Sequence, residues 1–490
     1  KLINLAKIKN SRSAINDMRK LISTHCNIDI NLLTFQQHNI EHHIAHIASS
    51  FFTSGWDNAA GITIDGSGDF VSCSMSYCSG NKIEIKKRIY VPHSLGSLYT
   101  MVCQFIGYGK YGDEGKVMGL APLGEDNFSD ELIDMIQLNK NGFTLNPKYF
   151  LPFGSNQGMS IDDNGEMIVH RHYSDLMIKK FGAPTERYAE ITKRDMDLAH
   201  SLQKRFEVVY LHLINILAQM APNDKLVLAG GCALNSVVNG KIFSNSQFTE
   251  TFMHPACGDD GLAVGAALYV SNAKLNEKAT SNLRNAYLGT EYSDNEIQDA
   301  LDKYEVNYSK LSKEEVIDKT TDEVIKGNVV GWFQGKMEWG PRALGNRSII
   351  AHPGLPNMKD TLNSRIKHRE NFRPFAPSVL QDFQYEIFEH DHPSPFMLHV
   401  YKIRENWRDR LSAVNHVDDT GRLQTVSPED NLLYYQLIKN FNDKTGIPIL
   451  LNTSFNENEP VVESPDSAIE CYLRTKMDVL VIGSFFCTKI

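Results

Sequence analysis

Residues 36–52 read QQHNIEHHIAHIASSFF, and this stretch decides how the chain is interpreted. Asn39 is a favourable helix N-cap and predicts a helix that enters the run. At helical spacing His42 and His46 then lie on one face, where two imidazoles can reach one metal ion. The spacing predicts a pair of metal ligands, and a purely structural histidine helix is the alternative that the spacing alone leaves open.

The strand that follows supplies a candidate third ligand. Residues 59–70 read AAGITIDGSGDF, so Asp65 stands where an apolar strand gives way to glycines. A side chain at such a junction faces a cleft without steric interference. Further on, residues 254–261 read HPACGDDG, and either Asp259 or Asp260 is placed to complete the metal site.

Composition limits the class of protein. The 490 residues carry 50 Lys and Arg against 59 Asp and Glu, a formal charge of −9, which disfavours nucleic acid as a partner. The eight cysteines show no C-x-x-C pair, which favours a reduced, cytosolic protein. No apolar run approaches the ~18 residues of a membrane span. The chain starts at Lys1 rather than at a methionine, which suggests that sequence upstream is absent.

The periodicity of the chain predicts an α/β protein of two domains. Three strands in a meander are expected within residues 59–92, the longest helix over residues 195–220, and a buried strand at 225–228. Residues 1–35 are expected to be a basic, helical lead-in that ends in a strand-like NLLTF. A polar stretch between about residues 271 and 304 sets the domain boundary, giving domains 1–285 and 286–490.

Three stretches predict anion binding. The glycine-rich loop at residues 108–122 surrounds Lys116, and the Gly230-Gly231 turn stands between a strand and a helix. Residues 336–373 carry eight Lys and Arg against three Asp and Glu. Because these cations lie beside glycines and prolines, an anion pocket is favoured over a solvated helical face.

The motifs together resemble the O-carbamoyltransferase family of nodulation-factor, cephamycin and tobramycin tailoring enzymes. They run in family order from about residue 36 and read EHHIAH, TIDGSGD, EGKVMGLAP, AGGCALN, GDDGLAVGAA, WFQGKMEWGPRALGNRSI, NSRIKHRENFRPFAPSV, HVDDTGRLQTV and LNTSFN. The resemblance implies an actin-like, metal-binding domain followed by a YrdC-like domain that forms carbamoyl-adenylate. Family members also carry a strand and turn upstream of the histidine motif that has no counterpart here, which leaves the base that activates the acceptor unassigned.

The resemblance also assigns roles to residues. It implies the metal ligands His42, His46, Asp65 and Asp259, and it favours iron, where the ligand types alone suit manganese or zinc equally. Gly230, Gly231 and Asn235 match the nucleotide-binding element. The positions that match those for carbamoyl phosphate and ATP are Arg342, Lys367, Arg373, Arg422 and Ser454, followed by His416 and Asn456.

The function implied is ATP-dependent transfer of a carbamoyl group from carbamoyl phosphate, through carbamoyl-adenylate, to a hydroxyl of a small natural product or sugar. Mg-ATP is then a co-substrate, and neither nucleic acid nor a membrane is a partner. Two alternatives stay open, a tRNA threonylcarbamoyl-transfer protein and a non-catalytic actin-like regulator. A metallopeptidase is excluded by spacing, because Glu41 precedes both histidines instead of lying between them as in H-E-x-x-H.

Overall fold

The structure, a computed structural model, describes residues 18–110, 112–151, 159–161, 167–187, 189–277, 282–370 and 372–489. Residues 42–490 form one compact unit, and the preceding residues form a separate one. In the short unit, a helix spans Met18–Cys26 and a 3-10 turn spans Ile30–Leu32. The strand expected at NLLTF is therefore wrong, because Asp29 accepts a hydrogen bond from the backbone of Asn31 and caps a 3-10 turn instead. Residues 1–17 of the lead-in lie outside the described residues.

The elements are as follows. In chain order the strands are β1 (Asn58–Gly68), β2 (Val71–Ser79), β3 (Lys82–Tyr90), β4 (Ile136–Asn139), β5 (Gly142–Leu145), β6 (Met159–Ile161), β7 (Met167–Val169), β8 (Lys225–Ala229), β9 (Glu250–Met253), β10 (Tyr308–Lys310), β11 (Val330–Phe333), β12 (Arg347–Ala351), β13 (Ala376–Leu380), β14 (Val400–Lys402), β15 (Thr420–Arg422), β16 (Gln424–Val426), β17 (Ile449–Ser454), β18 (Val479–Ile482) and β19 (Phe485–Thr488). The α-helices of the long unit are His42–Phe51, Leu95–Phe105, Glu114–Leu120, Ser129–Met135, Asp175–Phe181, Lys193–Met220, Ser236–Asn239, Ile242–Asn245, Leu262–Tyr269, Asp294–Lys303, Lys313–Ile325, Met358–Leu362, Gln384–Ile387, Glu405–Arg408, Leu432–Thr445 and Pro465–Arg474.

A five-stranded sheet carries the first half of the long unit. Its strand order is β3-β2-β1-β8-β9, with β1, β2 and β3 antiparallel and β1, β8 and β9 parallel. The predicted meander is thereby confirmed. The predicted long helix is confirmed as Lys193–Met220, and a capping box between Thr192 and Asp195 fixes its start.

The histidine helix begins at His42, three residues after the predicted cap Asn39. The backbone N–H of His42 donates to Oδ2 of Asp69 at 3.1 Å, so a residue of the β1–β2 turn satisfies this helical donor. Asn39 instead accepts a hydrogen bond from the side chain of Gln37. The local sequence placed the helix correctly but not the residue that caps it.

An eight-stranded mixed sheet carries the second half, in the order β10-β19-β18-β11-β12-β17-β13-β16. Strand β11 is fully buried between its parallel neighbour β18 and its antiparallel neighbour β12. Because both faces of β11 and β18 are covered, their sequences are continuous apolar runs rather than alternating ones. The helix Lys313–Ile325 leads into strand β11 in this half.

The apolar core is continuous between the two sheets. Phe396, Met397 and Leu398 lie in sequence between strands β13 and β16 of the second sheet, but they belong to the cluster of buried residues built on the first. The Nδ2 amide of Asn239 donates to the carbonyl of Leu398 at 2.9 Å across the same junction. The boundary at residues 285 and 286 stays a prediction. No helix among the described residues is long and apolar enough to span a membrane.

Candidate functional site

Four predicted side chains meet at one end of the first sheet. Nε2 of His42 lies 3.0 Å from Oδ2 of Asp65 and 3.6 Å from Oδ1 of Asp259. Nε2 of His46 lies 3.7 Å and 3.4 Å from the same two oxygens, and the two Nε2 atoms are 3.0 Å apart. Four ligand atoms thus converge within 4.8 Å of one another. We call His42, His46, Asp65 and Asp259 the His-Asp cluster.

Glycines bring the elements of the His-Asp cluster together. Asp259 precedes the helix Leu262–Tyr269, which packs against the histidine helix so closely that a Cβ at Gly265 would lie 1.8 Å from the carbonyl oxygen of Ala45. On the other side, a Cβ at Gly68 would lie 2.0 Å from Cγ of His42. The close approach of these backbones therefore sets the distances between the ligand atoms.

Charge inside the cluster is strongly coupled. Burial acts to raise the pKa of Asp65, but hydrogen bonds to His42 and His46 and the backbone N–H of Gly231 hold it well below its ordinary value. Burial acts to lower the pKa of His46, and the Asp259 and Asp65 carboxylates outweigh it, so that the pKa is raised. The two carboxylates thus favour positive charge at the His46 imidazole, and a cation bound at this position would supply positive charge in the same place.

His43, a possible base for the acceptor by its place in the histidine motif, lies beside the His-Asp cluster, with its ring centre 5.2 Å from that of His42, but its ring nitrogens face the sheet. It is fully buried, its Nδ1 is 2.6 Å from Oγ1 of Thr63, and its Nε2 is 2.9 Å from the carbonyl oxygen of Val71. Both ring nitrogens are thus engaged in the packing of the sheet. This arrangement favours a structural role for His43.

The Gly230-Gly231 turn lies directly against the cluster. Gly230 has φ +92°, and a Cβ there would lie 2.5 Å from the carbonyl oxygen of Ile64. The N–H of Gly230 donates to Cys257, and that of Gly231 donates to Asp65. Asn235 caps the next helix and pairs with Gln203, so its amide is held by protein contacts. A role in nucleotide binding stays a prediction for these three residues.

Lys367 is the centre of a second, cationic site. It is 2% exposed, and its Nζ donates to the carbonyl oxygens of Ser454 and Asn456 at 2.6 and 2.8 Å and to Oδ1 of Asn456 at 2.8 Å. The structure therefore brings together Lys367, Ser454 and Asn456, which lie far apart in the sequence. Burial, and then the charge of Arg369, lower the pKa of Lys367 to about 7.

The predicted arginines lie close to one another, and Arg373 lies close to this lysine. The charge of Arg373 acts to lower the pKa of Lys367, Arg342 and Arg422, beyond the lowering that burial causes in each of them. Nε of Arg342 and Nε of Arg422 are buried without a hydrogen-bond partner among the described residues. Like charges held together with unused donors are the arrangement expected of a site for an anion.

Arg369 is a member of this group that the sequence did not single out. Its charge acts on both Lys367 and Arg422, its guanidinium lies 4.6 Å from the ring centre of Phe375, and its pKa is lowered by burial and by Arg373 to about 9. Its position within the basic segment 336–373 is the signal that the sequence contains for it, but the family resemblance assigned no role to this residue. Lys367, Arg342, Arg369, Arg373 and Arg422 together are called the cationic cluster.

Two further predicted residues flank this region. His416 lies beside Arg422, and burial lowers its pKa to about 4, while its Nδ1 is 3.1 Å from Oγ1 of Thr420. Lys116 is paired with Asp113 at 2.8 Å and lies 5.4 Å from the ring centre of Tyr108. Anion binding by His416 or Lys116 stays a prediction. Tyr111 of the same loop lies outside the described residues.

Glu338 is a structural member of the site that sequence reasoning missed. Its buried Oε1 accepts three backbone hydrogen bonds, from Leu344 at 2.7 Å, Asn346 at 2.8 Å and Arg347 at 3.2 Å. These contacts close the loop that carries Arg342. The sequence held no signal for this role, because an acidic residue in a basic loop reads as a solvent-facing counter-charge.

Two family models match the chain. The model described as the carbamoyltransferase N-terminus matches residues 19–268. The model described as the carbamoyltransferase C-terminus matches residues 321–489. The two parts occur in the order that the motifs predicted.

Similar proteins cover most of the chain. The uncharacterized protein sll1178 of Synechocystis sp. is 39% identical over 480 residues, 92% of this chain and 76% of that protein. Nodulation protein NolNO of Sinorhizobium fredii is 36% identical over 457 residues, 92% of this chain and 64% of that protein. Nodulation protein NolO of Bradyrhizobium diazoefficiens is 35% identical over 457 residues, 92% of this chain and 79% of that protein.

A crystal structure of T. kodakarensis HypF matches 52% of this chain and 39% of that chain at 16% identity, with a TM-score of 0.29, too low to carry an argument. The family models and the relatives decide the assignment. They agree with the mixed α/β architecture of the two sheets. The chain therefore belongs to the carbamoyltransferase family, and it is an enzyme of that type with the predicted α/β fold class.

Proposed function

We propose that this protein is an ATP-dependent O-carbamoyltransferase that carries a carbamoyl group from carbamoyl phosphate, through carbamoyl-adenylate, to a hydroxyl of a small natural product or sugar. The observation that carries the proposal is the presence of the cationic cluster and the His-Asp cluster in one compact unit. The cationic cluster suits the binding of two phosphorylated substrates, and the His-Asp cluster suits the binding of a metal ion that polarises a carbonyl as a Lewis acid.

The residues of the His-Asp cluster fit a divalent metal. Ligand atoms held ~2.1 Å from an ion at tetrahedral or octahedral angles are ~3.0–3.4 Å apart, close to the 3.0–3.7 Å observed. The Gly231 N–H on Oδ1 of Asp65 orients that carboxylate as an outer partner does in metal sites. Nδ1 of His46 departs from this pattern, since it is buried with no acceptor among the described residues. Iron is the metal that the family resemblance favours, and manganese and zinc suit the same ligands.

Gly68 tests the metal assignment without removing a ligand. In Gly68→Ala the new Cβ would collide with the His42 ring and displace its Nε2 from the other three ligand atoms. We expect metal affinity to fall by about 10–100-fold, the loss typical when an orienting contact is removed. Isothermal titration with Zn²⁺ or Mn²⁺ measures it.

The matched control is Gly66→Ala on the same strand, where a new Cβ meets no atom within 4 Å. Its metal affinity should equal that of the wild type. Equal affinity in both variants would contradict the assignment of His42 as a ligand.

The cationic cluster would activate the carbamoyl group. Water releases phosphate from carbamoyl phosphate and leaves carbamate, whose oxygen attacks the α-phosphorus of ATP, and pyrophosphate leaves. The arginines would hold the phosphate groups, and Lys367, whose three N–H donors are engaged by Ser454 and Asn456, would add positive charge that offsets the repulsion between them. Because these cations are already in place and partly desolvated, little reorganisation is needed as charge develops on the leaving groups.

The pKa of Lys367 gives this step a pH dependence. The pKa of Lys367 in the folded protein is about 7, against an ordinary value of 10.5. In the enzyme without substrate the Lys367 amine is therefore protonated below about pH 7 and neutral above it. Phosphate binds the protonated form, so we expect the KM for carbamoyl phosphate to rise by up to ~tenfold per pH unit above pH 7. Bound anion raises the pKa again, so kcat should change less than KM. Initial rates of pyrophosphate release across neutrality measure both, and a KM that stays constant would refute the assignment.

The two clusters approach one another along two paths in the chain. Burial raises the pKa of the Cys257 thiol to about 12, and the charge of Arg342 acts to lower it. The backbone carbonyl of Cys257 accepts a hydrogen bond from the N–H of Gly230, beside Asp65. The Arg342 loop also rests on the loop before Asp259, since a Cβ at Gly340 would lie 2.7 Å from the carbonyl oxygen of Pro255. The second path passes Tyr108, on whose phenol Arg373 acts, and Glu114, whose charge acts with that of Asp65 on Cys232. This proximity supports internal passage of carbamoyl-adenylate, which water would otherwise hydrolyse.

In the transfer step, the acceptor oxygen attacks the carbamoyl carbon, AMP leaves, and the proton of the hydroxyl passes to a base that stays unassigned. A metal held by the His-Asp cluster would supply polarisation of the carbonyl. His46 is fully buried and Asp259 is half-exposed, so the acceptor would approach from the Asp259 side.

The test is to incubate the protein with carbamoyl phosphate and ATP and to measure pyrophosphate, with metal content determined in the same preparation. Pyrophosphate that depends on carbamoyl phosphate supports the proposal. Hydrolysis of ATP that ignores carbamoyl phosphate would instead favour the actin-like regulator. The tRNA threonylcarbamoyl-transfer alternative is weaker, because it gives no role to the cationic cluster.

A further inference from the structure

We propose that Tyr108 and Lys116 form a relay subsite that binds the phosphate of carbamoyl-adenylate as it passes from the cationic cluster to the His-Asp cluster. This inference rests on the function proposed above and adds to it a site for the intermediate. The ligand is a phosphate ester, recognised by a phenol O–H and an ammonium group.

The Tyr108 side chain is buried with an unused hydroxyl. It is 8% exposed, and its hydroxyl oxygen has no hydrogen-bond partner among the residues that the structure describes. Buried tyrosine hydroxyls normally find a partner, and one that does not costs free energy in the folded state. Such a group is expected where a ligand completes the hydrogen bonding.

The position of Tyr108 is between the two sites. Burial raises the pKa of its phenol, Glu370 and Asp113 raise it further, and Arg373 of the cationic cluster acts to lower it. The helix Glu114–Leu120, which follows Tyr108 in the chain, lies close to the segment that carries Arg373, because a Cβ at Gly119 would lie 3.6 Å from Cδ of Pro374. Tyr108 therefore lies near the part of the chain that carries Arg373.

The same loop reaches the His-Asp cluster at its other end. Oγ1 of Thr100 donates to Oε1 of Glu114 at 2.7 Å, which fixes the end of the loop on the helix Leu95–Phe105. Burial raises the pKa of the Cys232 thiol, and the charges of Asp65 and Glu114 raise it further, so both carboxylates lie near this thiol. Cys232 directly follows Gly231, which binds Asp65. The loop thus spans from the neighbourhood of Arg373 to that of Asp65.

The chemistry of the two side chains suits a phosphate monoanion. The phenol stays protonated at neutral pH and can donate one hydrogen bond to a phosphate oxygen. Lys116 supplies positive charge close by, with its Nζ 5.4 Å from the ring centre of Tyr108 and 2.8 Å from Asp113. A contact of this modest strength is what a relay needs, because the intermediate must be held against water and then released.

Tyr108→Phe is the variant that tests the subsite. It removes one oxygen that has no protein partner among the described residues, so the thermal midpoint should stay the same or rise. The full chain, loaded with metal, is mixed with ¹⁴C-labelled carbamoyl phosphate and ATP and passed rapidly through a desalting column. We expect the enzyme-bound carbamoyl-adenylate to fall at least ~fivefold and free AMP to rise, while the pyrophosphate burst and the KM for ATP change less than ~twofold.

Tyr401→Phe is the matched control. Tyr401 is 2% exposed and its hydroxyl also lacks a partner among the described residues, but its ring packs against His390 and His399, away from the loop. Retention of the adenylate should be unchanged in this variant. Equal retention in Tyr108→Phe and wild type, or equal loss in both variants, would overturn the relay subsite. A wild-type protein that releases no pyrophosphate would instead overturn the proposed function, and the subsite with it.

Discussion

His46→Ala should remove bound metal and abolish carbamoyl transfer while leaving carbamoyl-adenylate formation intact. His46 is fully buried, and its Nε2 lies within 3.7 Å of three other ligand atoms. We expect metal affinity to fall by more than ~100-fold, because loss of a ligand exceeds the 10–100-fold typical of an outer contact. Metal content after dialysis reports on the His-Asp cluster, and pyrophosphate release from carbamoyl phosphate and ATP reports separately on carbamoyl-adenylate formation.

A suitable control for that experiment is His212→Ala. His212 lies on the long helix, partly buried, with a hydrogen bond to the carbonyl oxygen of Asn139. It should keep its metal and both half-reactions. If His46→Ala lost pyrophosphate release as well, the division of labour between the two clusters would be wrong.

Lys367→Met should have the opposite effect, with metal retained and adenylate formation lost. Each charge-assisted hydrogen bond is worth about 1.5–3 kcal/mol, so losing the ammonium lowers the rate of pyrophosphate release by at least ~tenfold. Methionine keeps the length and apolar character of the stem in a position that is 2% exposed. Steady-state rates at saturating ATP and carbamoyl phosphate provide the measurement.

Because Lys367 also binds the Ser454–Asn456 segment, a second variant is needed. Arg373→Gln removes a charge of the same cluster that lies partly exposed and contacts Glu370 at only 3.7 Å, so the fold should tolerate it. It should slow pyrophosphate release in the same direction. Lys439→Met, on an exposed helical face, is the control for loss of a positive charge and should leave the rate unchanged.

The sequence was sufficient for the His-Asp cluster because each ligand sits at a position with a local rule. The histidines are four apart on a helix, Asp65 is at a strand end, and Asp259 is at a helix start. The meander and the long helix followed from periodicities of two and 3.6. The same local rules suggested one shared metal site, and only the choice of Asp259 over Asp260 came from the family resemblance.

The rest depends on contacts between distant segments, which no local pattern contains. Asp69 binds the first N–H of the histidine helix because of how the β1–β2 turn folds back. Glu338 is internal because three backbone donors converge on it, and Arg369 joins the cationic cluster through packing on Phe375. Burial of a charged residue is decided by such partners, and a sequence window of a few residues does not show them.

The absence of a side chain at Gly265 has a consequence for which ions the protein can accept. The gap between two helices there is no wider than one backbone atom needs, since a Cβ would lie 1.8 Å from the Ala45 oxygen. The two helices consequently lie in backbone contact, and moving them apart to accommodate a larger ionic radius would break that contact. The contact between the helices, and not only the ligand types, therefore disfavours large ions. Larger cations such as Ca²⁺ should bind weakly, although carboxylates by themselves are good Ca²⁺ ligands.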